Sequence, residues 1–99
     1  MNRAALSQAE DAHELERMSY LERNYAATLS TFGGRLRAAR IAAGLTPARL
    51  SALIAARPRS SLIEHYESGR RLPSVDRLVL IAHAVKRSPD YLLGFTHNL

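Results

Sequence analysis

The sequence predicts an all-α protein, and three observations support that prediction. Leucine, isoleucine and alanine dominate the apolar residues, whereas four tyrosines, two phenylalanines and no tryptophan make up the aromatic residues, a balance that favours a helical core over a sheet. Apolar residues recur three and four positions apart. Residues that start or stop helices separate these stretches. At 99 residues, the chain is expected to form one small domain.

The N-terminal residues predict one long helix. Ser7-Gln8-Ala9-Glu10 has the pattern of a capping box, and neither proline nor glycine follows for more than twenty residues, so the helix is predicted to run to about Ser30. Asp11 and Glu14 interrupt a heptad pattern on its thin apolar face. We therefore expect residues 1–31 to form an extra helix that docks on the domain or on a second subunit. The apolar face consists of Met18, Leu21, Tyr25, Leu29 and Phe32.

Five short helices are predicted between residues 32 and 94. The first begins near Phe32 and ends at Gly44, which suits a left-handed cap. Thr46 followed by Pro47 predicts the start of the second helix, because threonine caps helices and proline is favoured at the first helical position. Pro58 forces a later break.

The connection after the second helix is longer than the usual one between two motif helices. Ala55 and Ala56 are predicted to prolong the second helix before Pro58 stops it, and the third helix is predicted to start at Ser60 or Arg59. Each later helix has its own boundary residues. These are Gly69 after the third helix, Ser74 before the fourth, and Ser88 and Gly94 on either side of the fifth.

Positive charge is concentrated in the second part of the chain. Up to Thr31 there are three arginines and five acidic residues, a net charge of −2; the remainder has eleven basic and four acidic residues, a net charge of +7. Thirteen of the fourteen basic residues are arginine, whose planar guanidinium suits phosphate groups and guanine edges. A polyanionic partner such as nucleic acid is therefore expected.

Several stretches between residues 32 and 94 occur together in one family of DNA-binding domains. They are Phe32–Arg37, Arg40–Thr46, Leu50, Ile63, Tyr66–Ser74 and Ser88–Gly94. With them, the region resembles the lambda-repressor-like (XRE/Cro-type) helix-turn-helix family. The resemblance implies a compact five-helix DNA-binding domain over residues 32–94, preceded by the extra helix and followed by a short tail, residues 95–99. It also implies that the third helix lies in the major groove of DNA.

Site residues follow from the same resemblance. It implies a structural ion pair between Arg40 and Glu67, and base reading from the N-terminal part of the third helix. Glu64 either accepts a hydrogen bond from a cytosine amino group or repels phosphate and so orients an arginine. The implied base-reading residues are Ser60, Ser61, Glu64 and His65. The implied phosphate-binding residues are Thr46, Arg49, Arg57, Arg59, Arg70 and Arg71.

One departure from the family pattern concerns the start of the second helix. Pro47 stands where relatives often have a polar residue that touches phosphate. That contact is lost, although the free amides and the dipole of the helix N-terminus still attract phosphate at Thr46.

The resemblance implies a transcriptional regulator that binds double-stranded DNA, most simply a dimeric repressor of a palindromic operator. Dimer contacts are expected in the last helix and tail, with the N-terminal helix as a second candidate. Alternatively, Leu92 and Leu93 close the core of the domain. The alternative function is an antitoxin or adaptor that binds a protein partner through the N-terminal helix and DNA for autoregulation. The predicted dimer residues are Leu92, Leu93, Phe95 and Leu99.

Other function classes find little support in the sequence. The absence of cysteine excludes disulfides, thiolate metal sites and cysteine nucleophiles, and the four histidines are scattered without a metal-binding or catalytic pattern. We expect no enzyme activity, cofactor or metal. The apolar stretches are too short for a membrane span or an export signal, so a cytoplasmic, nucleoid-associated protein is expected.

Overall fold

The part of the chain that the structure describes folds into five helices. The computed structural model describes the backbone of residues 3–55, 57 and 59–99, and the side chains of these residues from position 13 onward except residue 15. Within this part there are no strands, and the all-α prediction is confirmed. No described helix combines the length and apolar character that crossing a bilayer requires. The helices are α1 (Arg3–Ala42), α2 (Pro47–Ile54), α3 (Ser60–Glu67), α4 (Val75–Val85) and α5 (Pro89–Leu93).

Helix α1 joins two predicted helices into one. It is uninterrupted over 40 residues, so the predicted boundary near Ser30 is wrong, and it begins at Arg3 rather than at a capping box on Ser7. No proline lies within it. Gly33 and Gly34 cost about 1 kcal/mol each in a helix interior, a penalty that packing against the other helices outweighs. The extra N-terminal helix is therefore the first part of the first domain helix.

The core lies between the second part of α1 and the other four helices. Phe32 and Leu36 are fully buried, and the Phe32 ring packs edge-on against Tyr66 of α3 with centroids 6.3 Å apart. Burying each such side chain stabilises the fold by about 1.5–3 kcal/mol. The other buried apolar residues are Ala39, Leu50, Ile54, Leu62, Ile63, Ile81, Ala82, Val85 and Leu92.

Three helices begin at their predicted caps. At Thr46, Ser74 and Ser88, the side-chain oxygen accepts a hydrogen bond from the backbone N–H three residues later, at 3.0, 3.3 and 3.1 Å. Such a cap contributes about 1 kcal/mol. Gly44 and Gly94 follow the ends of α1 and α5 with φ angles of 71° and 84°, in the left-handed region that was predicted for Gly44. These local signals fix where α2, α4 and α5 start.

The connection between α2 and α3 differs from the prediction at one residue. Helix α2 ends at Ile54, and Ala55 is extended, with φ −136° and ψ 140°, so Ala55 does not prolong the helix. It packs against the core instead, and its extended backbone directs the chain away from the α2 axis. Helix α3 begins at Ser60 with Arg59 as its N-cap, as predicted. Ala56 and Pro58 lie outside the described residues.

An ion pair ties α1 to the end of α3. Arg40 donates from Nε and Nη2 to the two carboxylate oxygens of Glu67, at 2.6 and 2.8 Å, and from Nη1 to the Leu45 carbonyl at 2.9 Å. The hydrogen bond with Glu67 raises the pKa of Arg40 above its ordinary value. Because both side chains are about nine-tenths buried, removing either one leaves an uncompensated charge, at a cost of about 3–5 kcal/mol.

A second arginine of α1 fixes the C-terminal tail. Arg35 Nη1 donates to the backbone carbonyls of Tyr91 and Thr96, at 2.5 and 2.7 Å. Its guanidinium also lies over the Tyr91 ring, 4.3 Å from the centroid, where a cation is attracted to the π face. These contacts hold α5 and the tail against α1.

The structure corrects one predicted dimer residue. Leu92 is fully buried in the core of its own chain, so it cannot also lie in an interface of the folded protein. The alternative interpretation, that it closes the core, is right. Leu93 is partly buried against the same core. Phe95 and Leu99 expose 71% and 68% of their surface.

Candidate nucleic-acid interface

Helix α3 has one buried face and one face turned to solvent. Leu62, Ile63 and Tyr66 anchor it in the core. Because these three residues share one face, the other positions of α3 lie on the opposite face, where side chains are free to reach a ligand. That face holds the four predicted base-reading residues, of which His65 is half-buried and Ser60, Ser61 and Glu64 are exposed.

A basic groove of about 360 Å³ lies beside the exposed face of α3. We call it the arginine groove. Four arginines line it, and no acidic residue is among the lining residues. Such a concentration of positive charge attracts polyanions, and guanidinium groups pair well with phosphate oxygens. The lining residues are Arg57, Arg59, Ser61, Leu62, His65, Arg71 and Arg77.

Arg71 is positioned by its contact with a core residue. Its guanidinium lies 5.9 Å from the centroid of the Tyr66 ring, within reach of a cation–π interaction. The chain reaches this position through a tight turn in which Gly69 has a φ of 77° and the Arg70 N–H donates to the His65 carbonyl at 3.0 Å. The loop after α3 therefore returns one arginine to the groove.

Arg77 is a groove residue that sequence reasoning missed. It lies in the first turn of α4, where its backbone N–H donates to the Ser74 cap, and its side chain is half-buried. The cap was recognisable from the sequence. Its position beside α3 was not, because it depends on how α4 packs against α2.

The predicted phosphate-binding residues fall into two groups. Arg57, Arg59 and Arg71 come together in the arginine groove. Arg49 and Arg70 are exposed elsewhere and do not line it, and the Thr46 hydroxyl caps α2. Thr46 and Arg49 lie at the N-terminus of α2. This is a second place that favours an anion, here because of the helix dipole.

A comparison with protein-family models gives a match to the helix-turn-helix domain over residues 31–92. The comparisons with curated proteins and with solved structures give no match. The matched region covers more than half of the chain and contains all of α2, α3 and α4, together with the second part of α1 and most of α5. DNA-binding domains of this family are typically non-enzymatic. The chain therefore belongs to the helix-turn-helix family, of the lambda-repressor-like kind, and a domain of this kind indicates a DNA-binding regulator.

Proposed function

We propose that this protein is a transcriptional regulator that reads a specific double-stranded DNA sequence, acting as a dimeric repressor on a palindromic operator. The observation that supports this most strongly is the arginine groove beside the exposed face of α3. In this proposal α3 enters the major groove, and the arginines contact phosphates on the flanking strand.

The exposed face of α3 offers hydrogen-bonding groups of several kinds. The hydroxyls of Ser60 and Ser61 donate to or accept from several base edges, and His65 can donate to guanine or to phosphate. Glu64 is exposed and lies outside the arginine groove, which suits acceptance from a cytosine amino group. These four residues are the proposed base readers.

Phosphate contacts would fix the position of α3 on the duplex. Arg57, Arg59, Arg71 and Arg77 supply one set, and Thr46, Arg49 and Arg70 extend it along the backbone. Each contact releases counterions, so binding should weaken steeply with salt. Two copies on half-sites about one helical turn apart would add the specificity that one small domain lacks. A dimer bound at an operator excludes other proteins from that DNA, which makes repression the simplest mode of control.

A second role is favoured by the N-terminal part of α1. Met18, Leu21 and Tyr25 are exposed there, on the acidic part of the chain. An antitoxin or adaptor would use such a surface to hold a protein partner. A partner that binds the chain and is lost in a Leu21→Glu variant, with duplex affinity unchanged, would favour this role.

The salt dependence of binding tests the proposed DNA interface. Fluorescence anisotropy with a random-sequence duplex would give affinities over a range of salt concentrations. Each lost phosphate contact lowers the slope of log affinity against log salt by about 0.9, so Arg71→Ala together with Arg77→Ala should lower it by about 2.

A matched control removes the same charge elsewhere. Arg17→Ala together with Arg23→Ala alters two exposed arginines on the N-terminal part of α1 and should leave the slope unchanged. Equal slopes for the groove variant and the unaltered chain would contradict the proposed interface.

A further inference from the structure

A pocket of about 420 Å³ lies where α4 turns into α5. We call it the corner pocket. Its apolar lining residues are Val79 and Ala82 of α4 and Pro89, the first residue of α5. Its volume is in the range of pockets that hold small ligands or a few side chains. The pocket is open to solvent, since Val79 exposes 43% of its surface.

Three basic side chains line the same pocket. They belong to His83 in the last turn of α4 and to Lys86 and Arg87, which follow that helix. No acidic residue is among the lining residues. The Arg87 guanidinium donates from Nη1 to the Lys86 carbonyl at 2.9 Å, and it has further N–H groups that can pair with a ligand. The corner pocket therefore combines an apolar lining with positive charge.

Lys86 has a backbone conformation that lysine rarely adopts. Its φ is 57° and its ψ is 46°, and it is the one non-glycine residue with a positive φ in the part of the chain that the structure describes. After α1 and α5 this conformation is taken by Gly44 and Gly94, where the missing Cβ atom avoids a clash. Lysine costs stability at this position, although its charge suits the helix dipole. Strained residues of this kind concentrate at functional sites.

We propose that the corner pocket binds an acidic segment of another protein that also carries a large apolar side chain. Carboxylates of the segment pair with Lys86 and Arg87. The apolar side chain of the segment contacts Val79 and Ala82, which are covered from water when the segment binds.

The chemistry of the pocket favours a protein segment over other anions. A nucleic acid presents its charge on a polar phosphate backbone, which leaves the apolar lining without a partner. A small-molecule site buries most of its ligand, whereas His83 and Lys86 are exposed and the pocket is open. An open pocket suits a polypeptide that continues beyond it.

The corner pocket and the arginine groove lie on different sides of α4. Arg77 lines the arginine groove. Because each helical residue turns the chain by about 100°, Val79 and His83 lie roughly 160° and 120° from Arg77 around the helix axis. Among the described residues, none lines both sites. The consequence for regulation rests on the proposed function: the regulator holds a partner protein while it is bound to DNA.

Fluorescence anisotropy with the full chain at near-physiological salt tests the proposal. The probe is a short fluorescein-labelled peptide of aspartates and glutamates around two central leucines. A second peptide has serines in place of the leucines, and a third has lysines in place of the acidic residues. The first peptide should bind about tenfold more tightly than the other two. No binding of the first peptide, or equal binding of the first and either of the others, would overturn the proposal.

A substitution in the apolar lining locates the binding. Val79→Glu places a carboxylate in the pocket and should weaken binding of the first peptide about tenfold or more. The matched control is Leu80→Glu, because Leu80 is exposed to a similar extent, 46% against 43%, but does not line the pocket. The control should bind the peptide as the unaltered chain does, and both variants should melt at its temperature. Equal weakening by the two variants would contradict the proposed site.

Lys86→Gly separates binding from stability. Glycine adopts the left-handed conformation without a clash, so the melting temperature should rise. Loss of the ammonium group should weaken peptide binding about tenfold. A higher melting temperature with unchanged peptide binding would overturn the binding role of Lys86 and, with it, the proposal.

Competition with DNA distinguishes the two sites. A saturating random-sequence duplex should leave the peptide bound, and Arg71→Ala together with Arg77→Ala should bind the peptide as the unaltered chain does. Displacement by the duplex, or loss of peptide binding in that variant, would assign the peptide to the arginine groove and overturn the proposal. Peptide binding without any duplex binding would contradict only the proposed function. Loss of self-association in Val79→Glu, measured by analytical ultracentrifugation, would show that a second copy of the chain occupies the pocket instead.

Discussion

Helix α1 contains two regions that have the same apolar spacing but differ in burial. In the second region, residues 28–42, Phe32 and Leu36 are fully buried. In the first region, residues 3–27, which we call the arm, Met18 and Leu21 expose about half or more of their surface. Helices α3, α4 and α5 pack against the second region, and no described element of the chain covers the arm. Periodicity therefore identifies a face that gains from burial, but the rest of the molecule decides whether that burial is internal.

The boundary between the two regions is a close backbone contact. A Cβ atom at Gly33 would lie 2.6 Å from the Glu67 carbonyl oxygen and 2.8 Å from that of Tyr66. Leu29 lies four residues before Gly33 on α1, and its backbone is close to Gly69. The domain thus begins where α1 and the end of α3 meet, and the arm lies before that contact.

The largest expected difference between the regions comes from one substitution made in each. Leu36→Ala removes a fully buried side chain and should lower the free energy of unfolding by about 2–5 kcal/mol. Leu21→Ala should change it by less than about 0.5 kcal/mol, because Leu21 lies outside the core. Chemical denaturation at concentrations below self-association measures both. Similar losses for the two variants would contradict the division of α1 into a core region and an arm.

Two adjacent glycines test the boundary itself. Gly33→Ala must push the backbones of α1 and α3 apart and should destabilise the domain by about 1–3 kcal/mol. Gly34→Ala meets nothing within 4 Å and should stabilise it by about 0.5–1 kcal/mol, because alanine loses less conformational freedom in a helix. Thermal unfolding of both variants checks the opposite signs. A stabilising Gly33→Ala would mean that the two helices do not approach as closely as described.

Local signals allowed much of the fold to be predicted. Thr46, Ser74 and Ser88 act as caps because their short side-chain oxygens reach the N–H three residues later, a geometry set within one turn. The continuity of α1 was not predictable in this way. Gly33 weakens a helix locally, and the reason for a glycine there, its contact with α3, involves residues more than thirty positions away.

The candidate site shows the same division between local and tertiary information. Arg57, Arg59 and Arg71 adjoin α3 in sequence, so the family resemblance was enough to select them. Arg77 belongs to another helix and reaches the groove only through the packing of α4 on α2. Arg35 was not among the predicted site residues, and its guanidinium holds the tail.

The central claim is that the exposed face of α3 reads DNA sequence. The measurement that tests it most directly is in vitro selection from random duplex DNA at near-physiological salt, with the full chain beside a variant that combines Ser60→Ala, Ser61→Ala and His65→Ala. The expected result is a two-fold symmetric motif that the full chain enriches and the variant does not. Absence of enrichment by the full chain, or the same motif enriched by both proteins, would contradict the claim.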